Sequence, residues 1–201
     1  MNNEILYLLL PDFASHEIVY LSQAIASDEC ALKENPKYIN KIVAPSLEPV
    51  KSISGFRTLP DYSFETMPDD YAALVLIGGF GWSTPAAEPV VEIVGRAIEQ
   101  GRIVGAICNG ASFMAKCGFL NAVRHTGNGR DQLKLWGGDN YTNLDGYIDA
   151  QAVSDRNIVT ANGSASLEFA RELLLLLEND TPERIEMYYQ FNKQGFCKLF
   201  G

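Results

Sequence analysis

The segment Arg102-Ile103-Val104-Gly105-Ala106-Ile107-Cys108-Asn109-Gly110-Ala111-Ser112-Phe113-Met114-Ala115 limits the possible folds more than any other. Its first half has the apolar character of a buried strand, the strand stops at a cysteine, and a helical pattern begins at once beyond it. Small residues on both sides of so tight a turn let strand and helix approach, and Ala106 and Gly110 supply them. The side chain at the turn then stands over the carboxyl end of a sheet. Serine hydrolases hold their nucleophile in such a turn with the pattern G-x-S-x-G; the same positions here read Ala106-x-Cys108-x-Gly110. The unsatisfied N–H groups of a helix starting there favour thiolate over thiol. Cys108 is therefore the candidate nucleophile, against the alternative of a small buried hydrophobe, the usual state of a free cysteine.

Other stretches place chemistry at strand ends as well. The run from Glu4 to Leu10 has the length of a strand buried on both faces, and Pro11-Asp12-Phe13 breaks it. A helix is expected from Ser15 to Ala26, with Ile18, Leu21 and Ile25 on its buried face. Glu17 lies in its first turn, beside the end of the first strand, where a negative charge also suits the helix dipole. Tyr38 to Ala44 reads as a second strand, Val50 to Leu59 as a small hairpin about Gly55, and Ala72 to Ile77 as a buried strand followed by Gly78-Gly79-Phe80-Gly81-Trp82. That glycine run fails the G-x-G-x-x-G spacing, and there is no P-loop. It reads instead as a tight loop whose backbone N–H groups face the same pocket as the cysteine.

Thr84-Pro85 is expected to start a helix, with threonine as cap, that runs to about Gln100. Val123 to Asn128 reads as a short strand or loop delivering His125, and Asp131 to Leu135 as a short helix. Tyr147 to Val153 and Asn157 to Ala161 read as strands about an Asp155-Arg156 turn. Gly163-Ser164-Ala165-Ser166 opens an apolar helix through Leu177, and Thr181-Pro182 begins a last helix. Its Ile185, Met187, Tyr188, Tyr189 and Phe191 form an aromatic face that packs on the body or on a second subunit. Strands alternating with helices predict an α/β three-layer sandwich with a mostly parallel sheet. Cys108, Glu17 and the Gly78-Gly79 loop then converge on one crevice at the carboxyl ends of the strands.

Composition narrows the function. At 201 residues and 47% hydrophobic content the chain can bury a full core. Twenty-five acidic against sixteen basic residues, a formal charge of −9, argue against nucleic acid or an anionic membrane surface as partner. Apolar runs such as Leu173 to Leu177 are too short to span a bilayer, and Glu4 stands where a signal peptide carries positive charge, so a cytoplasmic protein is expected. Cysteines 30, 108, 117 and 197 have neither zinc nor C-x-x-C spacing, and reduced thiols are expected. Cys117 reads as core packing. Neither histidine sits in a motif with ligand spacing, so no metal or other cofactor is expected.

These residues resemble the ThiJ/PfpI family of the class I glutamine-amidotransferase-like superfamily. The resemblance runs from Ile5 to about Leu177 and rests on five pieces in order: Leu10 to Glu17, Leu76-Ile77-Gly78-Gly79, Ala106 to Gly110, Arg124-His125-Thr126-Gly127-Asn128, and Thr160 to Ala170. It implies a flavodoxin-like fold with a nucleophile elbow over residues 1–180, a C-terminal helical extension over 181–201, and a homodimer. It further implies Cys108 as nucleophile, with Glu17 as a protonated carboxylic acid hydrogen-bonded to the sulfur. Burial would have to raise that acid's affinity for its proton. Gly79 and Asn109 N–H groups would form an oxyanion hole, and His125 would sit near the sulfur as a proton carrier.

Two departures bear on activity. Proteolytic members place histidine directly after the cysteine, where this chain has Asn109, and genuine amidotransferases carry a later H-x-E pair, whereas no histidine follows His125. The expected function is a cysteine hydrolase of a small-molecule or peptide substrate, either amidase-like or acting as a deglycase or glyoxalase. The alternatives are a redox or electrophile sensor with an oxidisable Cys108, and a stress chaperone using exposed apolar surface.

Overall fold

The computed structural model describes residues 3–27 and 31–200; Cys30 lies outside them. In chain order the elements are β1 (Glu4–Leu8), α1 (Val19–Ala26), β2 (Ile39–Ala44), β3 (Val50–Lys51), β4 (Arg57–Thr58), β5 (Tyr62–Ser63), β6 (Ala73–Leu76), α2 (Val90–Glu99), β7 (Ile103–Ile107), α3 (Asn109–Lys116), α4 (Arg130–Gly137), β8 (Ala152–Asp155), β9 (Ile158–Ala161), α5 (Ser166–Leu176), α6 (Pro182–Gln194) and α7 (Phe196–Phe200). Seven strands form one sheet in the order β5-β2-β1-β6-β7-β9-β8, and β3 pairs with β4 in a small antiparallel hairpin. Only β8 runs antiparallel in the main sheet.

The period-2 alternation of a strand sorts each apolar run between two cores. From β1 and the two residues after it, Leu6, Leu8 and Leu10 join Leu74, Leu76, Val104 and Ala106 on one face, under Val90 and Val94 of α2 and Phe113 and Met114 of α3. Ile5, Tyr7 and Leu9 join Val75, Ile77 and Val159 on the other, under Leu21 and Ile25 of α1 and Phe169 and Leu173 of α5. Helices on both faces of a largely parallel sheet explain why these strands are apolar throughout. The fold is the flavodoxin-like three-layer α/β sandwich. The chain runs from β1 outward to β2 and β5 and returns on the far side of β1 at β6. That reversal creates a crevice at the carboxyl ends of β1 and β6, where open α/β sheets bind ligands.

Several local expectations are corrected. Helix α2 begins at Val90, because Pro85–Ala87 makes a 3₁₀ turn and Pro89, which cannot donate within a helix, stands at its start. Thr84 does not cap it: its Oγ1 donates to the Gly81 carbonyl at 2.7 Å. The segment ahead of β8 holds a 3₁₀ turn, Leu144–Gly146, and Tyr147 pairs only through a single bridge to His125. The last helix does start at Thr181-Pro182, with the Thr181 side chain accepting from the Arg184 N–H, but a further helix, α7, follows Gly195. Of the aromatic face of α6, Ile185 is buried, and Tyr188 donates to the Tyr20 carbonyl at 2.9 Å, so α6 packs on the body. Met187 and Phe191 stay partly exposed and, with Leu174, Ile185 and Tyr188, line a groove of about 380 Å³ remote from the cysteine. No described helix is long and apolar enough to cross a membrane.

Candidate active site

Cys108 separates β7 from α3 with φ 58° and ψ −125°. A left-handed backbone at a residue with a side chain costs about 1–3 kcal/mol and persists only where its surroundings impose it. Here the Cys108 N–H donates to the Ala161 carbonyl of neighbouring β9 at 3.0 Å, while its carbonyl receives Ala111 and Ser112 N–H at 3.1 and 3.3 Å in the first turn of α3. Strand pairing fixes one side of the residue and helix initiation the other. The half-buried thiol is thereby lifted out of the sheet. Among the described residues Cys108, Cys117 and Cys197 are free, and Cys117 packs against the apolar core at the end of α3.

Glu17 ends a 3₁₀ turn, Ser15–Glu17, just ahead of α1, and is 2% exposed. Its Oε2 accepts the Gly78 N–H at 2.6 Å; its buried Oε1 accepts no hydrogen bond from the described residues. Gly78 explains how the carboxyl and the cysteine meet. A Cβ at Gly78 would lie 2.5 Å from the Cys108 Cβ and 2.6 and 2.9 Å from the two Glu17 oxygens. The missing side chain is the space in which they approach.

Burial pushes the Glu17 carboxyl up from 4.5 to about 7, against the Gly78 N–H, the charge of His16 and the Cys108 thiol, which all favour the carboxylate. Burial and then the Glu17 charge push the Cys108 thiol up, opposed by the Asn128 amide and the Asn109 N–H. The start of α3 alone therefore does not deliver a thiolate, which corrects the expectation drawn from the dipole. Above about 7 the pair instead carries a single proton, on the sulfur, with Glu17 beside it as carboxylate.

Gly79, at φ 138°, follows Gly78, and its carbonyl accepts the Asn109 Nδ2 at 2.9 Å. Gln132 of α4 donates in turn to the Asn109 Oδ1 at 3.2 Å. The side chain of Asn109 thus ties the glycine loop to α3 and α4, while its N–H faces the sulfur. Asn109 thereby serves as a clip between the glycine loop and the two helices.

His125 is not placed as expected. It is 0% exposed, with Nδ1 on the Val123 carbonyl at 2.8 Å and Nε2 on the Tyr141 hydroxyl at 2.5 Å. Both ring nitrogens are committed within the fold, and burial pushes its pKa down, keeping the ring neutral. A carrier of protons to the sulfur needs a free nitrogen, so His125 is a structural residue. Asn128 reaches the sulfur instead, Nδ2 donating to Sγ at 3.3 Å. His16 pairs through Nε2 with the Gly163 carbonyl at 3.1 Å. Asn128 and Gly163 both lie inside the motif stretches recognised in the sequence, but as types with little chemistry of their own they gave no signal. Among the described residues no group of three or more His, Cys, Asp and Glu could hold a metal ion.

Residues 3–176 match the DJ-1/PfpI family. An uncharacterized protease, YdeA of Bacillus subtilis, is 36% identical over 201 residues, covering 98% of this chain and 95% of its own. A glutathione-independent glyoxalase of Caenorhabditis elegans, DJR-1.2, is 32% identical over 141 residues, covering 69% of this chain and 72% of its own. Among solved structures, a ThiJ/PfpI family protein from Bacillus anthracis superposes with a TM-score of 0.91 at 29% identity, covering 100% of this chain and 94% of the other. A DJ-1 superfamily protein from Agrobacterium tumefaciens gives 0.83 at 33% identity, covering 96% and 99%.

Proposed function

This chain belongs to the DJ-1/PfpI family, and we propose that it is a cysteine-dependent enzyme acting on a small carbonyl compound, with Cys108 as nucleophile and Glu17 as its acid and base. The observation that carries this reading is the meeting of a strained elbow cysteine and a buried carboxyl in the space left by Gly78. A carboxyl raised to about 7 is matched to proton transfer at neutral pH. As the sulfur adds to the carbonyl carbon, the thiol proton passes to Glu17 and the C=O π pair moves to oxygen. The Asn109 and Gly79 N–H groups are the donors assigned to that oxyanion, one following the nucleophile and one from another loop.

Addition to an aldehyde or ketone is favoured over peptide cleavage by the inventory of acids. An amine leaving group must be protonated as it departs, and the histidines are poorly placed to do so: both nitrogens of His125 are bound, to Val123 and Tyr141, and the His16 Nε2 is held on the Gly163 carbonyl. Glu17 alone must carry the proton, as an addition requires. The glyoxalase name of one relative points the same way, and the protease name of another points to amides.

The test is a panel of methylglyoxal, glycated thiols and amines, and peptide amides, given to the wild type and to Cys108→Ser. The carbonyl compounds should be turned over by the wild type and lose roughly a hundredfold or more in the variant. Equal turnover would remove Cys108 as nucleophile. Selective labelling of Cys108 without turnover of any substrate would favour the sensor.

A further inference from the structure

The side chain hydrogen-bonded to the Cys108 sulfur is that of Asn128, in the loop between His125 and α4. Its orientation is settled by its second contact. The Gly163 N–H donates at 2.8 Å to one end of the amide, which must be the oxygen, and the NH₂ end is left facing the sulfur at 3.3 Å. The sulfur is also packed against backbone there: a Cβ on Gly163 would lie 2.8 Å from Sγ and 3.1 Å from the Cys108 Cβ. One amide therefore joins the loop after β9 to the reacting atom.

We propose that Asn128 is a catalytic residue: a neutral donor that aims the Cys108 sulfur and stabilises it as thiolate. The proposal rests on the reading of Cys108 as nucleophile. The groups facing the sulfur divide the work. Glu17, on the Gly78 side, titrates and so can take the proton; His16 lies next to Glu17 and is tied to the Gly163 carbonyl; the Asn109 N–H comes from the backbone. Asn128 has no proton to exchange over the working pH range. It favours the charged sulfur without competing with Glu17 for the proton, which a histidine in its place would do. Aspartate at this position would keep the Gly163 contact but turn a negatively charged acceptor toward the sulfur.

The experiment is carboxamidomethylation of the full chain by iodoacetamide from pH 6 to 10, resolved at Cys108 by peptide mass spectrometry, for the wild type, Asn128→Ala and Asn128→Asp, with thermal melts alongside. A hydrogen bond to a charged acceptor corresponds to a preference of roughly tenfold. Asn128→Ala should therefore react about tenfold more slowly at pH 7, with its rate midpoint displaced to higher pH, and Asn128→Asp more slowly still. Wild-type profiles in both variants would overturn the proposal, as would an Asn128→Asp that reacts as fast as Asn128→Ala. If the alanine variant fails to fold, the comparison of Asn128→Asp with the wild type decides alone. Alkylation needs no substrate. No turnover by the wild type, together with displaced profiles in the variants, sinks the enzymatic reading and leaves Asn128 as the donor that stabilises the sulfur; turnover with unmoved profiles does the reverse.

Discussion

Replacing Glu17 with glutamine keeps the shape of a buried side chain and removes its proton chemistry. Its Oε1 can still accept the Gly78 N–H, and its NH₂ takes the place of the oxygen that has no partner among the described residues. The wild-type carboxyl is held at about 7 in the fold against 4.5 unperturbed, so between those values the folded protein binds a proton that the unfolded chain has released. Stability from this group is therefore fully present below about 4.5 and is lost as pH rises through 7. At about 1.4 kcal/mol for each pH unit of that interval, the loss totals about 3 kcal/mol. Glutamine does not ionise and escapes it. Urea unfolding of both proteins at pH 4.5 and pH 8 should show the variant gaining about 3 kcal/mol on the wild type between the two. The same variant should lose turnover, because no base remains to take the thiol proton, while its Cys108 thiol, freed of the Glu17 charge, titrates lower. A stability difference that stays constant with pH would refute the argument: Glu17 would then ionise as in the open chain, and burial would not be holding its proton.

Other substitutions separate scaffold from chemistry. Gly78→Ala drives a methyl to within 2.5 Å of the Cys108 Cβ and 2.6 Å of a Glu17 oxygen; overpacking of this kind costs about 1–3 kcal/mol, and a melting curve should show that loss together with abolished turnover. His125→Phe leaves the buried Tyr141 hydroxyl without its partner, while the Val123 carbonyl keeps the Asn143 amide, and should destabilise the fold by about 1–3 kcal/mol in urea titrations. Its Cys108 alkylation profile should match the wild type, and a displaced profile would restore His125 to the site. Asn109→Ala cuts the link from Gln132 to the Gly79 carbonyl. With the glycine loop less firmly aimed, kcat should fall about tenfold while KM and the alkylation rate of Cys108 stay near wild type.

The sequence alone determined the central strands, the elbow and the convergence of Cys108, Glu17 and the glycine loop, because each rests on short-range pattern; the edge strand β5 was not read, and β8 lies later than the strand expected from Tyr147. Apolar runs of strand length, buried on both faces, report a parallel sheet directly, and in such a sheet the residues just past the strands must gather at one edge. Glu17 was legible for that reason: it follows the end of β1, and Gly78 follows the end of β6. Helix limits were less legible where two signals conflicted, as when Thr84-Pro85 suggested a start but Pro89 moved it to Val90. Tertiary structure decided what no local pattern carries. His125 and Asn128 lie three residues apart on one loop, and which of them turns to the sulfur depends on Tyr141 and Tyr147, between α4 and β8, and on Gly163, after β9. The protonation of the site was decided there too. A carboxylate beside a helix start is stabilised in water, but once Glu17 is 2% exposed the cost of burying its charge outweighs the Gly78 hydrogen bond and the nearby His16. Burial is a sum over every neighbour in space, and most of those neighbours are far away in the chain.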